Sequence, residues 1–250
     1  MDPSSFWRVG DYGIVGDLWA APGRDLAAAL DVRGLDTIDL ATGTGVTAIA
    51  LARHGAASVV GVDITPPLLA EAARRAEAAS LRITWLEADV TSVPLPGASA
   101  DLVTSTFGLV FAAEPRRAVA EAVRLTRPGG QVVFTSWSPD GLFGEVRRTM
   151  AAHFPEAPAP WHESEAGIRE VAGPLAAVTE RHFELVVASP ETFVAQMEQW
   201  SAPIVLAARS LGDRWPAARG QLVDVVTGTG AVVRDTFRVQ VPYLVTTLRR

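Results

Sequence analysis

Three aspartates and a pair of glycines carry the chemistry most visible in this chain. Asp39-Leu-Ala-Thr-Gly-Thr-Gly45 joins a short apolar run to a segment with helical spacing. Glycines at 43 and 45 let the backbone approach a ligand closely. The start of the following helix offers unpaired N–H groups at the positive end of its dipole, which suits a phosphate or an amino-acid carboxylate equally well. About twenty residues further on, Asp63 closes a second apolar run, where a carboxylate can accept from both hydroxyls of a ribose. Ile64 beside it can pack on a purine face. Asp89 follows a third run, in Glu87-Ala-Asp-Val90; its carboxylate can accept from an adenine amine while the Val90 N–H donates to a ring nitrogen. Together these positions describe a nucleoside with an anionic tail.

A nicotinamide dinucleotide is the rival ligand, because Gly43-Thr-Gly-Val-Thr-Ala48 satisfies G-x-G-x-x-G/A. Two residues weigh against it. Asp39 would face a pyrophosphate unfavourably but can help to hold a cationic amino group. Asp89 supplies an adenine contact that the dinucleotide motif does not need. A glycine turn with surface aspartates and no ligand at all would require all three coincidences.

The elements that must position these residues follow a βαβ rhythm. Asp36–Ala41, Ser58–Asp63, Leu81–Glu87, Asp101–Ser105 and Gln131–Trp137 read as strands. Val46–His54, Pro66–Ala79 and Glu114–Thr126 read as the intervening helices. Thr65 is the expected cap of the second, with Pro66 at its first position, and Glu71 stands four residues before Arg75. Arg127-Pro-Gly-Gly130 is expected to stop the third helix and turn the chain. Ser138 to about Pro174 is rich in Pro, Gly and Ala and reads as a lid or insertion. Further on, His182–Val187 and Val239–Leu248 read as strands flanking a helix over Pro190–Trp200 capped by Ser189. The long connection suits an antiparallel pair at a sheet edge, and Pro242 favours an edge or a bulge.

The stretches DLATGTGVTAIALARHGA, VVGVDITPPLLAEAARRA, WLEADVTSVPLPGASADLVTSTFGLVFAAEP and EAVRLTRPGGQVVFTSWSPDG cover about Leu35 to Gly141. In order and spacing they resemble the class I S-adenosylmethionine (SAM)-dependent methyltransferases, the group that includes ubiquinone/menaquinone-biosynthesis and natural-product-tailoring enzymes. The resemblance implies an α/β, Rossmann-like, seven-stranded, mostly parallel sheet with helices on both faces. It also implies an antiparallel last strand, with a small lid or insertion after strand five. One domain would span 1–250, with its core at about 25–137, an N-terminal cover at 1–24, the lid at about 138–235 and the last strand at about 236–250. Carried over by position, Asp39, Ala41, Gly43 and Gly45 form the glycine-rich SAM motif, Asp63 the ribose site, and Asp89 and Val90 the adenine site. The segment Ser105–Phe111 corresponds to the loop beside the transferred methyl, placing Ser105 at the cofactor, and Tyr12 would cover it. Ala41 departs from the family, which usually has glycine there.

Methyl transfer is an in-line displacement for which an enzyme supplies alignment and a dry pocket. A hydroxyl or carbon acid also needs a base, and His162, in Trp161-His-Glu163, is the candidate. His153, His54 and His182 read as helix-end or solvated residues. Phe107, Phe111, Trp137 and Trp161 are candidate walls of a pocket for an apolar or aromatic acceptor, although core packing explains most aromatic residues. No Asn/Asp-Pro-Pro-Tyr/Phe signature follows strand four, which favours an oxygen or carbon acceptor, in keeping with secondary metabolism.

Composition narrows the field further. A net charge of −6 disfavours a general nucleic-acid binder. No cysteine is present, so disulfides and cysteine metal sites are excluded, and no metal is expected. Lysine and asparagine are also absent, as a GC-rich coding sequence would produce. Neither a signal peptide nor a membrane span is legible, so the expected location is cytoplasmic, with a homodimer as an option. Two other functions share these motifs: a SAM-retaining enzyme of cyclisation or rearrangement, and a non-catalytic SAM-binding scaffold.

Overall fold

A computed structural model describes residues 3–156 and 160–250. The first two residues of the expected cover and residues 157–159 of the expected lid lie outside the described residues. In chain order the helices are α1 (Pro3–Trp7), α2 (Tyr12–Asp17), α3 (Ala21–Ala29), α4 (Val46–Arg53), α5 (Pro66–Ala78), α6 (Pro115–Leu125), α7 (Gly141–Ala151), α8 (Glu165–Ala172), α9 (Pro190–Trp200), α10 (Ala202–Leu211) and α11 (Trp215–Gly228). The strands are β1 (Asp36–Leu40), β2 (Ser58–Asp63), β3 (Thr84–Glu87), β4 (Ala100–Thr106), β5 (Thr126–Trp137), β6 (Ala177–Val187), β7 (Ala231–Val233) and β8 (Thr236–Arg249).

The strands run in the order β3-β2-β1-β4-β5-β8-β6, and the short β7 pairs antiparallel with β8. Seven strands therefore form the expected path, and β7 adds an eighth that the sequence reading lacked. Strands β1 to β5 pair in parallel. The Arg250 N–H donates to the Gly130 carbonyl, and the Gly129 N–H donates to the Arg250 carbonyl. The end of β8 thus meets the start of β5, so the two run in opposite directions. Successive connections leave β1 in opposite directions, which puts the topological switch point between β1 and β4.

Contacts divide the chain into two compact units. The larger holds Ala20–Ser136, Glu165–Thr179 and Val245–Arg250. In it β1 is buried from Thr37 onward, and Leu102, Val103, Val132 and Val133 fill the sheet interior. At the N-terminal edge Arg127 bridges Asp36 at 2.9 Å and Asp101 at 2.8 Å; the Ser58 hydroxyl and then Arg127 lower the Asp36 pKa, and Arg127 lowers that of Asp101. The smaller unit holds residues up to Trp19 together with Trp137–Ser164 and Glu180–Leu244. There Phe193, Val194, Trp215, Leu222 and Tyr243 are buried on α9, α11 and β8.

Several local expectations change. Strand β3 begins only at Thr84, and Leu81–Ile83 lie outside it. Thr65 has extended cap geometry, yet its hydroxyl makes no capping bond to α5. Strand β5 starts at Thr126, so Arg127–Gly130 form an irregularity within the strand opposite β4 instead of a turn before it. Pro242 lies in β8, which has neighbours on both sides and is no edge. Its ring lies against the start of α7, where a Cβ at Gly141 would be 2.6 Å from the Pro242 Cδ.

Candidate functional site

The site residues of the larger unit sit at the carboxyl ends of β1, β2, β3 and β4. Asp39 is 1% exposed. Its Oδ2 accepts from the Thr42 hydroxyl at 2.6 Å and its Oδ1 from the Thr104 hydroxyl at 2.7 Å. Thr104 is its register partner on β4. Burial raises the Asp39 pKa to about 6, opposed by these two hydroxyls and the Ala48 N–H, with the charge of Asp63 adding a smaller upward push. Asp39 therefore anchors the glycine loop from beneath.

Asp63 ties that loop to the next strand. Its Oδ2 accepts from the Gly43 N–H at 2.8 Å, and its Oδ1 accepts from the Thr65 N–H at 2.9 Å. Burial pushes this carboxyl up as well, against the Gly43 and Thr65 bonds. Ile64 is half-buried next to it. Asp89 is half-buried after β3, and its Oδ1 accepts from both the N–H and the hydroxyl of Thr91, at 2.8 and 2.7 Å. Val90 stands half-buried between them.

Gly45 has φ +80° and starts α4 with no side-chain cap, so the first-turn amides of that helix look into the loop. Ala41 also has positive φ, at +50°, directly after β1, and Phe107 has +54° directly after β4. Two non-glycine residues in the left-handed region, at the ends of the two strands flanking the switch point, mark where the fold stores strain. The alanine is tolerated because residue 108 is glycine: a methyl at 108 would overlap the Ala41 Cβ and come within 2.9 Å of its carbonyl oxygen.

Other predicted residues turn out to have structural duties. Ser105, 1% exposed, accepts the Leu109 N–H at 2.8 Å and so holds the 3-10 turn Leu109–Phe111. Phe107 is 2% exposed, with its N–H donated to the Thr135 hydroxyl at 3.0 Å, so it is core packing and no open wall. Phe111 is 43% exposed and faces outward.

The remaining predicted residues belong to the smaller unit. Tyr12 begins α2, its ring over Gly16 and 5.4 Å from that of Trp7. Trp137 stacks on Phe143 with centroids 4.0 Å apart, and Trp19 meets both edge-on at 5.7 and 5.4 Å. Trp161 and His162 form a 3-10 turn with Glu163. Glu163 is buried and accepts from the Arg147 guanidinium. Burial, and then the nearby Arg147 charge, lower the His162 pKa to about 4. At that value the imidazole is neutral and a weak proton acceptor at neutral pH.

Sequence reasoning missed four supporting residues. Trp85 and Gly61 are register partners, and the indole lies across the glycine: a Cβ at 61 would be 2.5 Å from its Cε3, and one at Gly45 2.8 Å from its Cη2. An isolated glycine inside strand-like sequence is the signal that marks such an approach. Thr47 and Thr106 share a hydroxyl hydrogen bond of 2.8 Å that fastens α4 to the end of β4.

Strand order places the glycine loop and the strand-end carboxylates at the switch point of a doubly wound α/β domain. Residues 38–134 match the methyltransferase domain family. An uncharacterised Mycobacterium tuberculosis protein is 36% identical over 155 residues, 61% of this chain and 56% of that protein. A demethylmenaquinone methyltransferase of Thermus thermophilus is 41% identical over 128 residues, 50% of this chain and 58% of the enzyme. The chain thus spans just over half the length of the curated relatives it matches. Among solved structures, the YcgJ protein of Bacillus subtilis superposes with TM-score 0.62 at 16% identity, covering 92% of this chain and 99% of that one. The [4+2]-cyclase SpnF superposes with TM-score 0.54 at 21% identity, covering 91% and 80%. At such identities both likenesses speak for the fold. Residues 38–134 thus carry a methyltransferase domain, and these likenesses support the class I SAM-dependent family, with SAM as the cofactor. The site suits that cofactor on two counts: α4 begins uncapped behind Gly45, and the left-handed Ala41 beside Gly108 leaves the loop free of bulk.

Proposed function

We propose that this chain is a SAM-dependent methyltransferase that methylates oxygen or carbon of a small molecule in secondary metabolism. The observation that carries this reading is Asp63, whose two oxygens join the Gly43 N–H and the Thr65 N–H. This fixes the glycine loop against the carboxylates of the neighbouring strand ends. In this reading Gly43 and Gly45 let the loop backbone lie close against the cofactor's methionine tail, the amides at the start of α4 hold its carboxylate, Asp63 and Ile64 its ribose and purine face, and Asp89 with Val90 its adenine. Ser105 supports this set by holding the Leu109–Phe111 turn through the Leu109 N–H. When bound, SAM supplies an electrophilic methyl on a sulfonium centre.

This chain's residues bind, orient and keep out water. Buried Asp39 and Asp63 favour a cationic ligand, because a nearby positive charge offsets the cost of keeping both carboxylates ionised. Trp137, packed with Trp19 and Phe143, is the kind of aromatic surface that accepts an apolar or aromatic acceptor. We read the two units as parts of one domain, in the cytoplasm; among the described residues no helix is long and apolar enough to cross a membrane.

Isothermal titration with SAM and S-adenosylhomocysteine, followed by a screen of acceptors with methyl-labelled SAM, tests the proposal. Binding that weakens at least tenfold in Asp63→Ala, with label in a small-molecule product, supports it. Absence of binding overturns it. A cofactor that binds, co-purifies and is never consumed would instead favour the rearrangement chemistry.

A further inference from the structure

A cavity runs along one face of α4 from Val46, the residue after Gly45, to His54 at its far end. Its volume is about 300 Å³, at the small end of the range for organic ligands, and it is open to solvent. Val46, Ile49, Ala50 and Arg53 line it from α4, at the i, i+3, i+4, i+7 spacing of a single helical face. His54 extends the same side. Arg24 enters from α3 and Arg75 from α5.

The charge in this cavity is unusual for the chain. The protein carries −6 overall, yet three helices each contribute an arginine to the lining, and no carboxylate lines it. Arg75 is ion-paired with Glu71 at 2.6 Å. Neither Arg24 nor Arg53 has a carboxylate within salt-bridge distance among the described residues. Favourable placement at the end of α4 explains Arg53 and His54 by themselves. It does not explain Arg24, which belongs to another helix. Gly23, next to Arg24, packs so closely on α4 that a Cβ there would be 2.5 Å from the Thr47 hydroxyl oxygen and 3.4 Å from Val46 Cγ1. Arg24 therefore flanks the Val46 end of the groove. Arg53 stands two turns along, on the order of 10 Å away at helical rise.

We propose that this groove binds a small amphiphilic anion: an apolar body on the Val46, Ile49 and Ala50 floor, with a phosphate or carboxylate between the Arg24 and Arg53 guanidiniums. Guanidinium matches both oxyanions through paired N–H donors, while half-buried Val46 and the exposed edges of Ile49 and Ala50 add a small apolar contact. The site is separate from the carboxylates that face the cofactor and does not depend on them.

The test uses the whole chain, saturated with S-adenosylhomocysteine, and 1-naphthyl phosphate, 1-naphthoate and 1-naphthol as probes. Calorimetry should show both anions binding at least tenfold more tightly than the neutral alcohol. Affinity should fall at least tenfold in Arg24→Gln/Arg53→Gln and decline with added salt. Both arginines are exposed, so circular dichroism should show an unchanged fold. Amide shift mapping of the unmutated protein gives an answer independent of the variants: Ile49, Ala50 and Arg53 should move, and Gly43 and Gly45 should not. Equal affinity for naphthol, undiminished binding by the double variant, or shifts confined to the glycine loop each overturn the proposal. Preference for one anion over the other identifies the head group.

Discussion

Replacing Gly108 by alanine should destabilise the protein through one contact. Gly108 has φ −110° and ψ −56°, a conformation open to alanine, so the substitution carries no torsional penalty. The new methyl would overlap the Ala41 Cβ and stand 2.9 Å from the Ala41 carbonyl oxygen and 3.3 Å from Ser105 Oγ. Overpacking of this sort costs about 1–3 kcal/mol, and contact with backbone puts Gly108→Ala at about 2–3. Ala41→Gly removes a left-handed alanine, a gain of about 1–2 kcal/mol, and adds unfolded-chain entropy worth about 0.4–1. That variant should be more stable than the parent by about 0–1.6 kcal/mol. The double variant loses the Cβ overlap and keeps the carbonyl contact, so it should recover about 1–2 kcal/mol as coupling. Urea unfolding followed by far-UV circular dichroism gives all four stabilities, provided the m-values agree. Additivity within 0.5 kcal/mol, or a Gly108→Ala variant as stable as the parent, would falsify the contact.

Asp39 makes stability pH-dependent. Its pKa rises from the ordinary 3.8 to about 6. The proton therefore contributes stability that is fully present below about 3.8 and is lost as pH climbs through 6; at 1.36 kcal/mol per unit the difference is about 3 kcal/mol. Because His162 and Asp63 also titrate differently in the folded chain, the difference isolates Asp39: the stability of the parent relative to Asp39→Asn, read from urea midpoints, should fall by about 3 kcal/mol between pH 4 and 6 and stay level above. His162 acts in the opposite sense: with a pKa lowered to about 4, its contribution is present above 6.5 and lost as pH falls through 4, and His162→Gln should flatten that limb. In acceptor assays, the same variant should leave the pH–rate profile near neutrality unchanged, because the imidazole does not titrate there. Gly61→Ala should cost about 1–3 kcal/mol by displacing the Trp85 indole, and Trp85→Leu in the same chain should restore much of the loss, read by thermal melting.

Much of the larger unit was legible because its signals are local. Glycine, proline and apolar runs mark β1, β2, α4 and α5 to within a residue or two, and Ser189 caps α9 as expected, accepting the Thr192 N–H at 3.1 Å. The strand-end carboxylates were legible as residues, but their bonds were not. That Asp39 is satisfied by Thr42 and Thr104 depends on a pairing between β1 and β4 that no sequence spacing encodes. The same holds for Ala41 and Gly108, which meet only across the switch point. Phe107 reads as a wall from its place after a strand, yet its left-handed backbone and the Thr135 bond turn it into the core. Leu81–Ile83 alternate like strand residues but lie beyond the part of β3 that β2 pairs with, and alternation alone says nothing of where a partner ends.

Trp85 gives the glycine loop a built-in optical gauge. Its ring spans Gly61 on one strand and Gly45 at the head of α4, and it is half-buried. Any displacement of the loop from the sheet must change how much of that indole meets water. With the other six tryptophans replaced by phenylalanine, emission from this one ring would follow loop opening and closing directly, with no label attached.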